Sequence, residues 1–247
     1  MEVILNIGST WVPCMLEDGL SYPTRGDWVG RIIIGGVLGL LSVFVIPIFA
    51  VFGYLVRVLE RTVAGEEETP EFTDWGDLLA KGVVAVLIAL AYSIVPVVAY
   101  GIVISVIAGI GSGVGGDVGA IIGVTGALLT LAFLPVLALI HYAVPAALTA
   151  YAARGEASAA FDVSILKPTL LGVDYLLAVL MPILISLGVF VVSVVLLVTV
   201  VGGVFIPFVQ FYGQVAAFRM FGTAFADQSD HIEAESGDTG GDAAAAV

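Results

Sequence analysis

Uncharged stretches of membrane-spanning length dominate the pattern of hydrophobic and polar positions. Residues 32–56 contain no Lys, Arg, Asp or Glu, and a helix rising 1.5 Å per residue crosses the roughly 30 Å hydrocarbon core of a bilayer in about 20 residues. Residues 175–218 are uncharged over about twice that length, so a turn is predicted at Gly202-Gly203. The pattern predicts an all-α integral membrane bundle of about five transmembrane helices, near 32–56, 83–108, 118–150, 175–200 and 204–222.

Prolines recur along these stretches, at least one in each predicted helix. Because proline lacks a backbone N–H and clashes with the preceding turn, each helix is expected to bend. A bundle of bent helices can enclose a cavity. The prolines concerned are Pro47, Pro96, Pro135, Pro182 and Pro207.

Composition agrees with the membrane class. Hydrophobic residues make up 60% of the 247 residues and charged residues 12%, against about 45–50% and about 25% in soluble domains. The 21 acidic residues outnumber the 8 basic ones, giving a net charge of −13. Nucleic acid is therefore disfavoured as a partner, because phosphate binding needs a basic face. An acidic, lysine-poor surface suits a salt-rich interior, so a halophilic source is expected.

The charged residues concentrate in two loops and in the C-terminal segment. Residues 57–81 and 154–174 join predicted helices and mix charged with apolar side chains, which favours cytoplasmic loops lying in the membrane plane. Residues 226–247 contain six acidic residues and no basic one, which predicts a disordered acidic tail. A single membrane domain is expected over residues 15–225.

The basic residues predict the orientation of the chain. With five crossings, six of the eight Lys and Arg residues lie on the side of the C-terminus, and Arg25 and Arg31 lie on the other side. Because an excess of Lys and Arg marks the cytoplasmic side, the protein is predicted in the cell membrane with its C-terminus inside. A four-crossing arrangement would instead place Arg219 with Arg25 and Arg31.

Several positions at the end of the first predicted helix and in the loop that follows it carry a resemblance to a known family. They are Gly53, Tyr54, Arg57, Pro70, Phe72, Asp74 and Trp75. With Lys81-Gly82 they resemble the membrane proteins grouped as domain of unknown function 4013, which are common in halophilic archaea. The resemblance covers roughly residues 15–225 and implies a multi-pass membrane protein. The family has no established activity, so the resemblance implies no catalytic residues.

The same resemblance bears on the start of the chain. Relatives often begin with a segment like MLEDGLSYPTRGDW, which starts here at Met15. Residues 1–14 are therefore interpreted as an upstream start-site extension, and initiation at Met1 or at Met15 stays open.

Motifs of the common catalytic and cofactor sites are absent from the sequence. It contains no P-loop lysine motif, no H-E-x-x-H, no paired cysteines and no G-x-S-x-G. Gly111 to Gly116 satisfies G-x-G-x-x-G, but membrane helices flank it where a dinucleotide site needs a βαβ unit. We therefore predict no catalytic, cofactor-binding or metal-binding residue, and a protein that is not an enzyme.

Three polar residues inside predicted helices are candidates for an intramembrane site. His141 is the only ionisable side chain within a predicted crossing. Because a charged side chain is costly in lipid, such a residue is a candidate for a functional role. Gln210 and Gln214 lie in the last predicted helix. The alternatives are a neutral histidine that caps a carbonyl freed by a proline, and glutamines in interhelical hydrogen bonds of about 0.6 kcal/mol each. A polar seam would also include Ser93, Thr125 and Tyr212.

Three functional hypotheses follow from these patterns. The favoured one is a non-enzymatic scaffold or accessory subunit, whose partners are the bilayer and an unknown membrane or cytoplasmic protein that meets the predicted loop 57–81 and the acidic tail. The alternative is a small permease or channel component, motivated by the bent helices and by Gln210 and Gln214. An intramembrane enzyme ranks third, because His141 has no carboxylate or nucleophile at a recognisable spacing.

Overall fold

The computed structural model describes residues 14–114, 116–199 and 202–244, and within these residues it contains helices and no strand. A helix over residues 14–21, here α1, and a 3-10 turn (Tyr22–Thr24) precede seven longer elements. These are α2 (Trp28–Leu40), α3 (Ile46–Val63), α4 (Trp75–Ser112), α5 (Gly116–Arg154), α6 (Val163–Leu171), α7 (Val173–Val198) and α8 (Ile206–Ala244). The predicted all-α class is confirmed.

Helices of membrane-spanning length account for most of the chain. Among the described residues, four continuous helical spans are candidates to cross a membrane. The fifth candidate span is a pair of helical segments that meet at 85°, Cys14–Thr24 and Trp28–Phe44. The prediction of about five membrane-length helices is therefore confirmed as four to five. The four helical spans that are long and apolar enough by themselves are Trp75–Gly111, Gly116–Arg154, Tyr175–Val198 and Gly202–Gln228.

The first predicted helix, near 32–56, is not continuous in the structure. The chain turns back between α2 and α3, so that the two helices form a hairpin. The hairpin is evident from the order of their contacts with α8, which is opposite for the two helices. Those contacts are Gly35 with Phe211 and then Gly39 with Pro207 along α2, and Tyr54 with Phe211 and then Thr62 with Gly222 along α3.

Local backbone chemistry explains the break at this turn. A 3-10 helix (Leu41–Phe44) ends at Val45, whose φ of 64° lies in the left-handed region. Pro47 then occupies the second position of α3, where its missing N–H is not needed. The Ser42 hydroxyl donates to the Leu38 carbonyl at 3.0 Å, and the Val45 N–H donates to the Ser42 carbonyl at 3.1 Å. These bonds limit the number of unsatisfied backbone groups at an apolar tip.

The remaining spans form two antiparallel hairpins, α4–α5 and α7–α8. In the first, the rings of Tyr100 and Phe133 stack with centroids 4.2 Å apart. In the second, Gly213 lies against Val189. The hairpins pack together at one end only, and their outer halves carry exposed apolar side chains. The shared core at that end includes Val56, Leu59, Ala85, Ile88, Leu148, Tyr175, Ala216 and Met220.

The basic residues gather at the end of the bundle where the hairpins pack, which we call the polar end. Arg25 and Arg31, expected on the opposite side from the other basic residues, also lie here, because the α2–α3 hairpin returns the chain to the side from which it came. Arg154 ends α5, and Lys167 lies in α6 between α5 and α7. The other basic residues at this end form ion pairs, namely Arg25, Arg31, Arg57, Arg61, Lys81 and Arg219.

Two boundaries differ from those predicted. α4 begins at Trp75 rather than near residue 83, because Asp77 and Lys81, four residues apart and in contact at 3.1 Å, extend the helix through a charged first part. α8 is helical to Ala244, whereas composition predicts disorder from residue 226. No proline follows Pro207 to interrupt that helix.

The five prolines that were predicted to bend helices divide into two groups. Those inside helices remove a backbone hydrogen bond and are the ones able to bend a span. The other two occupy the second positions of α3 and α8, where they start helices. The interior ones among the predicted set are Pro96, Pro135 and Pro182.

Of residues 1–14, interpreted as a start-site extension, all but Cys14 lie outside the described residues.

Candidate functional site

The first candidate site is the connection between α3 and α4, residues 64–74, which we call the acidic loop. Its backbone carbonyls and the Thr69 hydroxyl accept hydrogen bonds from side chains of four separate elements. Side chains from outside the loop thereby fix its backbone. The donors are Tyr22, Arg25, Arg31, Arg57 and Arg219.

Arg57 of α3 holds the second half of the acidic loop. Its guanidinium donates to the carbonyls of Glu71 at 3.3 Å and Thr73 at 2.5 Å. It also donates to the Asp74 carbonyl at 2.9 Å and to the Asp77 carboxylate at 3.0 Å. The rigid five-donor fork of arginine suits such a cluster of acceptors. Asp74, which precedes α4, has a φ of 47°, and Arg57 stabilises the chain in this left-handed conformation.

Residues from the N-terminal segment and from α8 hold the first half of the loop. Asp18 accepts hydrogen bonds from Arg25 at 2.5 Å and from Arg219 at 2.9 Å, so one carboxylate orients both guanidinium groups. Arg219 also lies over the buried Tyr22 ring, 4.7 Å from its centroid. The bonds to the loop are Arg219 to the Glu66 carbonyl at 2.9 Å, Arg25 to the Glu67 carbonyl at 3.4 Å and Tyr22 to the Glu68 carbonyl at 3.1 Å.

An aromatic stack ties the same loop to the core. Phe72 lies parallel to the ring of Tyr54, with centroids 4.2 Å apart and an interplanar angle of 14°. Trp75 follows at 6.0 Å from Phe72, and Phe211 of α8 lies 5.3 Å from Tyr54. Tyr54 and Phe72 are buried. Burial of these rings stabilises the loop in one position.

Two glycines set the spacing between α3 and α4. A Cβ added at Gly53 would overlap the Leu78 carbonyl, and one added at Gly82 would overlap the Phe49 carbonyl. Only glycine permits this close approach of two helix backbones. The family-like positions therefore lie together, in the acidic loop or on the parts of α3 and α4 next to it. They are Gly53, Tyr54, Arg57, Pro70, Phe72, Asp74 and Trp75.

The acidic side chains of the loop remain at its surface. Glu66 to Glu68 and Glu71 are exposed. Arg61 pairs with Glu66 at 3.3 Å, and Arg31 approaches Glu71 at 3.9 Å. Among the described residues, no group of three or more His, Cys, Asp or Glu side chains is arranged to hold a metal ion. The loop therefore presents negative charge on a fixed backbone.

A cleft of about 850 Å³ between the two long hairpins is the second feature. His141, Gln210 and Gln214 all line it, so the structure brings together the three polar candidates predicted from the sequence. The His141 imidazole forms no hydrogen bond with any described residue, so the predicted capping of a carbonyl is not observed. The polar lining is completed by Ser93, Ser186 and Ser193.

The other members of the predicted polar seam lie elsewhere. Thr125 donates to the Ile121 carbonyl at 2.9 Å within α5, and Tyr212 donates to the Leu20 carbonyl. Conversely, Ser186 and Ser193 were not predicted. A serine in a helix commonly bonds to its own backbone, as Ser193 does to Val189 at 2.7 Å, so its type gives no signal. Only the structure, in which the two hairpins diverge, shows that Ser186 and Ser193 face the cleft.

Comparisons with known proteins place the chain by family alone. No curated protein and no solved structure matches it. A family model described as a protein of unknown function, DUF4013, matches residues 38–201, a narrower range than the residues 15–225 of the resemblance. The match contains the whole span from Gly53 to Trp75 and leaves out Gln210 and Gln214 of α8. Since it covers well over half of the 247 residues, the chain belongs to the DUF4013 family.

Proposed function

We propose that this chain is a non-enzymatic, multi-pass protein of the cell membrane that serves as a scaffold or accessory subunit. The observation that carries the proposal is the acidic loop, whose backbone is fixed by arginines while its carboxylates stay exposed. A fixed loop loses little conformational entropy on binding. Its charge favours a partner protein that presents Lys and Arg side chains. Within the described part of the chain, no carboxylate lines the cleft to orient His141, which supports a role other than catalysis.

The test is purification from native membranes, with mass spectrometry of what remains bound in fixed stoichiometry. We expect one protein to accompany the wild-type chain and to be lost from the triple variant Glu66→Gln, Glu67→Gln, Glu68→Gln. The matched control removes three charges from the C-terminal segment instead, with Glu233→Gln, Glu235→Gln and Asp238→Asn. Loss of the companion from the control alone would move the binding surface to the tail. A homomeric species from wild-type membranes would overturn the proposal.

The orientation that we propose places the polar end in the cytoplasm. All eight Lys and Arg residues lie at that end, whereas the described residues at the opposite end, 113–114, 199 and 202–205, contain none. Four crossings then leave α1 and the end of α8 on the cytoplasmic side. The α2–α3 hairpin does not cross: Phe44 at its tip is 13 residues from Arg31, or about 20 Å, which is less than the roughly 30 Å core.

Thiol labelling with a membrane-impermeant reagent tests this orientation. We expect Cys14, the only cysteine of the chain, to react in inside-out vesicles and to be protected in right-side-out vesicles. In a Cys14→Ser background, Val204→Cys should react in right-side-out vesicles only, and Phe44→Cys in neither. Labelling of the Phe44→Cys variant from outside would mean that α2 crosses the membrane.

A second candidate function, a small permease or channel component, is favoured by the cleft. His141, Gln210 and Gln214 provide polar groups at membrane depth between diverging helices. This candidate predicts solute flux in liposomes that Gln214→Leu lowers by about tenfold, a loss of one or two hydrogen bonds. Thr125→Val, which changes a polar residue outside the cleft, should leave the flux unchanged. Equal flux in the Gln214→Leu variant would remove the proposed site.

A further inference from the structure

The cleft between the hairpins is open toward the lipid. Within the described residues, α4 makes no extensive contact with α7 or α8, and α5 meets α8 mainly near the polar end. His141, Gln210, Gln214 and Phe190, which line the cleft, are all exposed in the isolated chain. A molecule in the bilayer therefore reaches the cleft sideways, without passing through the polar end.

Among the residues that the structure describes, no permanently charged side chain lines the cleft: no Lys, Arg, Asp or Glu contributes. Apolar and aromatic side chains make up most of the lining, including Phe52, Phe190 and Phe218. A charged ligand would lose its hydration without gaining a partner of opposite charge. The polar side chains present are serine hydroxyls, two amides and one imidazole, which both donate and accept hydrogen bonds. The chemistry matches an uncharged group that forms hydrogen bonds.

The polar groups lie at a depth that only a lipid-soluble molecule occupies readily. Along α8, Gln214 is five residues and Gln210 nine residues from Arg219, or about 8 and 14 Å below the arginines of the polar end. Ser93 and His141 line the same cleft from the facing hairpin. Its volume of about 850 Å³ falls within the range of roughly 300–1,000 Å³ found for small-molecule sites, and thus suits a molecule with one chain.

We propose that the cleft binds a neutral, single-chain amphiphile from the bilayer, with its apolar chain along the aromatic lining and its uncharged head group bonded to Gln210, Gln214 and His141. The inference deepens the second candidate function and rests on the same cleft. It assigns a ligand class, and it requires binding, whether or not the ligand then crosses the membrane.

The test uses the full chain in phosphatidylcholine nanodiscs and a monoacylglycerol that carries a photoreactive diazirine in its acyl chain. We expect labelling on cleft-lining peptides of α5, α7 and α8 that unlabelled monoacylglycerol competes away. Ser186→Trp fills the cleft and should lower this labelling at least fivefold. Leu187→Trp is the matched control, since Leu187 is the next residue of α7, is exposed and does not line the cleft; its labelling should equal that of the wild type.

A second variant guards against misfolding by Ser186→Trp. The double change Gln210→Leu, Gln214→Leu keeps the side-chain size and should weaken competition severalfold. Labelling spread over all lipid-facing helices without competition would overturn the inference, as would equal cleft labelling by a lysophosphatidic acid probe with the same chain. Flux without cleft labelling would remove this ligand and leave the permease candidate. Labelling without flux would remove the permease candidate and leave the ligand.

Discussion

Gly82→Ala is expected to destabilise the bundle by about 3 kcal/mol, the upper end of the usual overpacking cost. The added Cβ would overlap the backbone carbonyl of Phe49 and lie 3.0 Å from the backbone nitrogen of Gly53. These atoms belong to α3 and cannot move aside as a flexible side chain does. Thermal unfolding in detergent, followed by size-exclusion chromatography, should show a midpoint lower by about 6–12 °C.

Gly101→Ala supplies the control, because the residue lies in the same helix and no atom lies within 4 Å of the added Cβ. Alanine favours a helix over glycine by roughly 0.5–1 kcal/mol, so this variant should be as stable as the wild type or slightly more stable. A similar loss in both variants would show that α4 tolerates no substitution for reasons unrelated to α3. A fully stable Gly82→Ala variant would contradict the close approach of the two helices.

Arg57→Ala is expected to release the acidic loop. Its guanidinium binds three loop carbonyls and the Asp77 carboxylate, and its side chain is only 12% exposed. Bonds to a charged group contribute about 1.5–3 kcal/mol, so the loop should open far more often. A protease specific for glutamate should cut between residues 66 and 71 at least tenfold faster than in the wild type. Arg57→Lys should not restore protection, because one ammonium cannot span these carbonyls.

Arg154→Ala is the matched control for this experiment. Arg154 is a basic residue at the same end of the bundle, in the last turn of α5 and exposed. Removing it should leave cleavage of the loop at the wild-type rate. Slow cleavage of the Arg57→Ala variant would mean that the bonds from Tyr22, Arg25 and Arg219 are sufficient to hold the loop.

The sequence predicted those elements that depend on local composition. Residues 83–108 and 118–150 are uncharged, and a bilayer requires helices of such segments, so α4 and α5 appear close to where they were expected. The segment 32–56 is equally apolar, yet the chain reverses within it. Apolar composition indicates that a segment is compatible with lipid. The reversal depends on the positive φ of Val45 ahead of Pro47, and composition does not indicate a backbone conformation.

The candidate site shows the same division. His141, Gln210 and Gln214 were predicted because polar residues in apolar helices are rare, and all three line one cleft. The hydrogen bonds by which arginines hold the backbone of the acidic loop were not predicted. Two of these bonds join Arg25 to the Glu67 carbonyl and Arg219 to the Glu66 carbonyl, across 42 and 153 residues. A residue type shows a capacity to donate hydrogen bonds, but only the packed helices show which carbonyls accept them.

The bonds that Asp18 and Leu20 accept from Arg219 and Tyr212 also set an order of assembly. They join residues 201 and 192 positions apart, so the ribosome must synthesise the chain into α8 before either can form. Until α8 is inserted, the first half of the acidic loop lacks one of its arginines and the α2–α3 hairpin lacks the helix against which it packs. Nascent chains that stop before α8 should therefore remain substrates for membrane quality-control proteases, and the insertion of α8 is the event that ends this exposure.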